Sequence, residues 1–123
     1  MVLRSLTEKD EAALTELLTD ETIKLTYMLP DLPSREAAIP LARKLTALSA
    51  EETRFVRGME EGGVLVGFLN DVEMADGTIE LGYVVHPRHR NKGCATAALK
   101  LAMEELFHMG FREIGRASCR ERV

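Results

Sequence analysis

Residues 80–106 read E-L-G-Y-V-V-H-P-R-H-R-N-K-G-C-A-T-A-A-L-K-L-A-M-E-E-L, and they divide into three parts. The first closes a strand, Thr78 to Val85, whose alternate residues fall on opposite faces. The second is a loop with four basic or potentially basic side chains, Arg88, His89, Arg90 and Lys92. The third is a long helix opening at Gly93 and running to Met109. A strand that feeds a basic loop and then a helix makes an anion site. The free N–H groups of the first helical turn and the positive end of the dipole point the same way.

The rest of the chain bounds what that anion is. At 123 residues there is room for one domain. An apolar content of 46% with 29% charged residues is that of a globular protein. No apolar run approaches the roughly 18 residues of a membrane span, and the N-terminus has no apolar core of a secretory signal. Cys94 and Cys119 form neither a metal-ligand spacing nor a disulfide framework, so a reducing, cytoplasmic setting is expected, with no metal. The net charge of −4 argues against a general nucleic-acid binder, as does the lack of aromatic residues among the basic ones. The basic loop is a local focus of positive charge on an acidic body.

Working outward, Val2 to Leu6 is a short strand. Thr7 caps a helix that fades near Thr19 or Asp20, with Asp10 at the third helical position and Ala13, Leu14, Leu17 and Leu18 on one face. Glu21 to Pro33 reads as a loop, with Tyr27, Met28 and Leu29 either tucked beneath it or forming a substrate-side flap. Ser34 opens a second helix with Ala38, Leu41, Leu45 and Leu48 in helical spacing. Pro40 either kinks that helix or marks its start. Thr53 to Met59 is a strand, E-E-G-G a hairpin turn, Val64 to Met74 a strand of the sheet centre, and Asp76-Gly77 a second hairpin turn. Phe111 to Ile114 begins one more strand.

Ile114 to Val123, I-G-R-A-S-C-R-E-R-V, has no apolar periodicity and resembles the translation of a common short-read sequencing adapter. The expectation is a domain over residues 1–113 that lacks its C-terminal strands, followed by a non-native tail over 114–123. Without that tail, which holds three Arg and one Glu, the net charge is −6. A domain left with an uncovered sheet edge is expected to be unstable or prone to aggregate.

Arg90-Asn91-Lys92-Gly93-Cys94-Ala95 fits the pattern Q/R-x-x-G-x-G/A, and the stretch before it is I-E-L-G-Y-V-V-H-P. Neither a P-loop nor a G-x-G-x-x-G motif is present. The whole order resembles the GNAT family of acetyl-CoA-dependent N-acetyltransferases, most closely its ribosomal-protein alanine acetyltransferase (RimJ/RimL-like) branch. That resemblance implies an α/β (α+β) fold, a mixed and mostly antiparallel sheet flanked by helices. It implies acetyl-CoA as cosubstrate and an amine acceptor, either a protein N-terminus or a small molecule. No nucleic acid or membrane is involved, and an oligomer is compatible with it.

The resemblance also assigns residues. Val84, Val85 and His86 would pair with the pantetheine arm. Arg88, Arg90, Asn91, Lys92, Gly93, Cys94, Ala95 and Thr96 would surround the pyrophosphate. The N–H of Val84 or Val85 would polarise the thioester carbonyl. The amine attacks the thioester directly in a ternary complex, so no protein nucleophile is needed. A base must first deprotonate it. Glu80 is the candidate, because strand alternation puts it on the face of Gly82 and Val84. The family's general acid is commonly a tyrosine near the C-terminus, and this chain has only Tyr27 and Tyr83. The alternative is a non-catalytic module that binds or senses coenzyme A.

Overall fold

The computed structural model describes residues 1–21, 34–75, 77–89 and 93–116. Strands β1 (Val2–Arg4), β2 (Val56–Glu61), β3 (Val64–Ala75), β4 (Thr78–Val85) and β5 (Glu113–Arg116) form one sheet in the order β1-β2-β3-β4-β5. Successive strands through β4 are antiparallel, and β5 lies parallel to β4. The helices are α1 (Glu11–Thr19), α2 (Arg35–Ser49) and α3 (Cys94–His108). This is the mixed, mostly antiparallel architecture expected of the GNAT fold.

Local chemistry explains most element ends. Gly62 and Gly63 both take positive φ (59° and 84°), the two-residue turn that suits the twist of a hairpin. Gly77, at φ 78°, does the same service between β3 and β4. Thr7 starts a 3-10 turn over Glu8–Asp10 rather than entering α1 directly. The Asp10 carboxylate reaches back to accept the Thr7 N–H at 2.8 Å, the returning half of a capping box. That carboxylate is buried and also takes two hydrogen bonds from the Arg4 guanidinium, at 2.8 and 3.0 Å. The guanidinium bonds hold Asp10 below the usual carboxylate range and raise Arg4 above its own. Ser34 Oγ accepts the Ala37 N–H and caps α2.

α2 opens after Ser34 as expected, begins five residues before Pro40 and continues through it, so of the two readings the proline is not the helix start. Its buried stripe is Ala38, Ala42, Leu45 and Ser49, with Leu41 and Leu48 at the margin. Small alanines let the helix axis approach the sheet, and Ser49 makes a buried junction. Its hydroxyl accepts the Leu6 N–H at 2.9 Å and donates to the Val56 carbonyl at 2.7 Å.

The sheet separates two apolar layers. On one face α3 packs Cys94, Ala98, Ala102 and Leu106 against Ile79, Leu81, Tyr83 and Val85 of β4 and their neighbours on β2 and β3. On the other, α1 and α2 cover Val56, Phe68 and Val84. Lys100 and Glu104 do not form an ion pair among the described residues. Glu105 instead accepts two bonds from Arg57 of β2, at 2.7 and 3.0 Å, tying α3 to the sheet.

The strand expected to begin over Phe111 to Ile114 is β5, and it extends into the segment that showed no apolar periodicity: Ile114 to Arg116 lie beside β4, and Ile114 packs against the α3-side core. The parallel crossover through α3 supplies the neighbour that a local reading of the segment lacked. Residues 117–123 lie outside the described residues, as do Tyr27 to Leu29, read as either tucked beneath their loop or forming a flap.

Candidate functional site

β5 pairs with β4 only from Thr78 to Leu81. Beyond Leu81, residues Gly82 to Val85 have β3 on one side and no described strand on the other. Among the described residues, the outer edge of β4 is therefore unpaired along its second half.

The phase of the β3–β4 ladder decides which amides face that opening. His86 N–H donates to the Val66 carbonyl at 2.7 Å, in register with the pairs Gly67↔Val85, Phe68↔Val84 and Leu69↔Tyr83. Antiparallel strands alternate inward-turned and outward-turned groups. Val84, two residues before His86, therefore turns its N–H toward Phe68, whereas Tyr83 and Val85 turn theirs to the open side. The two residues left as alternatives for contact with the acyl carbonyl are thus separated. Val84 is engaged by the ladder, Val85 has no strand partner on its outward side among the described residues, and Tyr83 joins it as an outward donor that the sequence did not single out. No local signal could have found it, because the phase is set by β3.

Two irregularities of β3 frame this region. Met59 pairs with Gly67 and Glu60 with Leu65, so Val66 is an extra residue, a β-bulge. Next to it, a Cβ at Gly67 would overlap the carbonyl of Val84. Glycine there permits the close approach of the two backbones. A second register shift lies between Asp71 and Glu73, leaving Val72 exposed. Asp71 is itself buried and fixed by two bonds from Arg54, at 2.7 and 2.8 Å, and one from the Phe55 N–H at 2.9 Å. That pairing raises the Arg54 guanidinium above its ordinary value.

Past this bulge, Glu73 and Glu80 stand directly opposite each other. Opposed residues share a face with Cβ atoms about 5 Å apart. Both are exposed, and neither enters an ion pair among the described residues. Glu80 shares the α1–α2 face with Val84, as alternation predicts, but lies beyond the helices that bury Val84. Three residues at ~3.3 Å each put it roughly 10 Å along the strand from Tyr83.

At the other end of the opening, α3 starts without a side-chain cap and with no acid in its first turn. Its N-cap, Gly93, sits at φ 77°, which an L side chain rarely adopts, and its carbonyl accepts the Ala97 N–H at 2.9 Å. The amides of Cys94, Ala95 and Thr96, expected near the pyrophosphate, precede the first intrahelical donor and are free for a ligand. The Cys94 side chain points away, buried in the α3-side core. By contrast α1 and α2 both begin with acids, Glu11 and Glu36.

Between the two ends lies the turn Pro87–His89. Arg88 is 75% exposed in its side chain and stands 3.5 Å from Glu16 of α1. His86 is 12% exposed, 3.6 Å from the same carboxylate. Arg90, Asn91 and Lys92 lie outside the described residues. Among the described residues no group of His, Cys, Asp and Glu could hold a metal ion. No described helix is long and apolar enough to cross a membrane.

An open strand edge that runs into a bare helix N-terminus suits an extended ligand with hydrogen-bonding amides along its length and an anion at its end. The comparisons give that class a family. The sequence matches the acetyltransferase (GNAT) domain over residues 1–121, and the chain belongs to that family. No curated protein sequence matches the chain. Among solved structures, the fold is shared with a transcriptional regulator from Bacillus halodurans C-125 (16% identity, 98% of this chain and 83% of that one, TM-score 0.70). It is shared with the PaiA N-acetyltransferase of Thermoplasma acidophilum in complex with coenzyme A (21%, 89% and 74%, 0.67). It is also shared with a ribosomal-protein-alanine N-acetyltransferase from Brucella melitensis (20%, 90% and 70%, 0.67).

Proposed function

We propose that the protein is an acetyl-CoA-dependent N-acetyltransferase acting on a cationic amine. The observation that carries this is the outward-turned amide pair, Tyr83 and Val85, on an edge that ends at the uncapped N-terminus of α3. Acetyl-CoA brings an activated acyl group, and the residues of this chain hold and orient it. The amides of Cys94, Ala95 and Thr96 take the pyrophosphate, and Arg88 on the exposed turn after β4 adds positive charge. Val85, closer to that end, pairs with the pantetheine arm. Tyr83, one strand repeat further on, donates to the acyl oxygen as negative charge develops there. Val84 contributes its buried side chain rather than its amide.

The acceptor enters from the Glu73–Glu80 end. Two carboxylates opposite one another, neither in an ion pair among the described residues, favour an ammonium group, and the loss of its proton makes the attacking amine. Glu80 accepts that proton, through water across the roughly 10 Å to Tyr83. A protein N-terminus and a small polyamine both meet this requirement. The resemblance to the ribosomal-protein alanine branch favours the first.

The test is Glu80→Gln, assayed with acetyl-CoA and a panel of peptides and small amines while coenzyme A binding is followed calorimetrically. The expected result is a kcat lower by roughly 10²–10⁴, with binding unchanged. Turnover unchanged in the variant would remove Glu80 from the chemistry. Binding without acetylation of any amine by the unaltered protein would leave a coenzyme A-binding module.

A further inference from the structure

We infer that His86 is a positioning residue that holds the turn between the open edge of β4 and the anion end of α3. The inference rests on the coenzyme A reading of that edge. His86 lies at the junction: its N–H donates the last ladder bond, to Val66, immediately after the outward amide of Val85. The following turn has three residues, Pro87 to His89, and His86 satisfies both of its amides. Its carbonyl accepts the His89 N–H at 2.8 Å, and its Nδ1 accepts the Arg88 N–H at 3.2 Å. Pro87 has no N–H to satisfy and is pre-set for the first position of a helical turn. The imidazole thus does what Ser, Thr, Asn or Asp does at an ordinary helix start.

This role fixes the tautomer. A ring nitrogen that accepts carries no proton, so the proton resides on Nε2, which faces Glu16 Oε2 at 3.6 Å. Among the described residues, the charged and titratable groups around the ring are Glu16 from α1, and Arg88 and His89 from the turn itself. With the cap in place, the chain leaves β4 in one direction, through a fixed turn that carries Arg88. Without it, the Arg88 amide is left to water and the turn loses its fixed geometry. The effect falls on ligand affinity, since Glu80 and Tyr83 lie upstream on the paired strand.

Three variants of the full chain separate this cap from a plain packing or charge role. Asparagine places its Oδ1 where Nδ1 sits, whereas glutamine reaches the Nε2 position and the Glu16 contact. His86→Ala and His86→Gln are expected to weaken coenzyme A binding about tenfold, with kcat within twofold. His86→Asn is expected to stay within about threefold of the unaltered protein. Melting temperatures confirm that all three fold. Asparagine as weak as alanine, or glutamine as tight as histidine, overturns the cap. Were the unaltered protein to bind no coenzyme A, the ligand reading would fail by itself. The cap then stands or falls on the Arg88 amide. That amide should exchange slowly in the unaltered protein and in His86→Asn, and fast in His86→Ala.

Discussion

Gly67→Ala is the substitution for which the structure gives the sharpest expectation. The added Cβ would overlap the Val84 carbonyl oxygen and stand 3.1 Å from both the Val84 carbonyl carbon and the Val85 Cα. Every one of these atoms is backbone, so no rotamer change relieves the contact. Either β3 and β4 part by about 1 Å, or Gly67 rotates out of the bulge and disturbs its pairing with Met59. Overpacking of this kind costs roughly 1–3 kcal/mol, and the rigid neighbours place it at the upper end, about 3 kcal/mol. At roughly 4 °C per kcal/mol for a domain of this size, the melting temperature falls by about 12 °C. Gly58→Ala is the control. Its Cβ would meet Leu65 Cδ1 at 2.8 Å and Leu6 Cδ2 at 2.9 Å, both ends of flexible side chains. It should cost no more than about 1 kcal/mol. Urea denaturation of both variants gives the comparison directly. Because Gly67 faces Val84 and Val85, the KM for acetyl-CoA should rise in the first variant and not in the second. Gly67→Ala as stable as Gly58→Ala would refute the reasoning about the close approach.

Two further outcomes concern the scaffold. Asp10→Asn should lose roughly 2–4 kcal/mol, since it weakens a charge-assisted fork from Arg4 and a cap to Thr7. The folded protein holds Asp10 below its ordinary value of 3.8. Its contribution is therefore full above that value and is lost as pH falls through the lower folded one. Urea titrations from pH 7 to 3 should show a shallower acid loss in the variant. Ser49→Ala leaves the Leu6 N–H and the Val56 carbonyl without their partner in a buried junction. A loss of about 2–3 kcal/mol is expected by the same method.

What the sequence made legible was whatever is encoded locally. The glycine turns at 62–63 and 77 and the span of β4 follow from a few adjacent residues, and the structure has them where expected. The Gly93 start of α3 follows in the same way. What was hidden depends on partners distant in the chain. The two bulges of β3 are properties of its pairing with β2 and β4, and nothing in V-L-V-G-F-L-N-D-V announces them. Which amides of β4 turn outward depends on ladder phase, which Val66 sets from another strand. Ser49 carries no local signal, yet its hydroxyl joins the Leu6 N–H to the Val56 carbonyl. Ile114 to Arg116 looked unpartnered because their neighbour, β4, comes more than 30 residues earlier.

The central claim is that acetyl-CoA lies along the open edge of β4, and amide hydrogen exchange by NMR tests it most directly. With coenzyme A added, the Tyr83 and Val85 N–H groups should become protected and those of Cys94, Ala95 and Thr96 should shift. The Val84 N–H, held by Phe68, should be slow with or without ligand. Tyr83 and Val85 unaffected by saturating coenzyme A, or a Val84 amide that alone responds, would contradict the account.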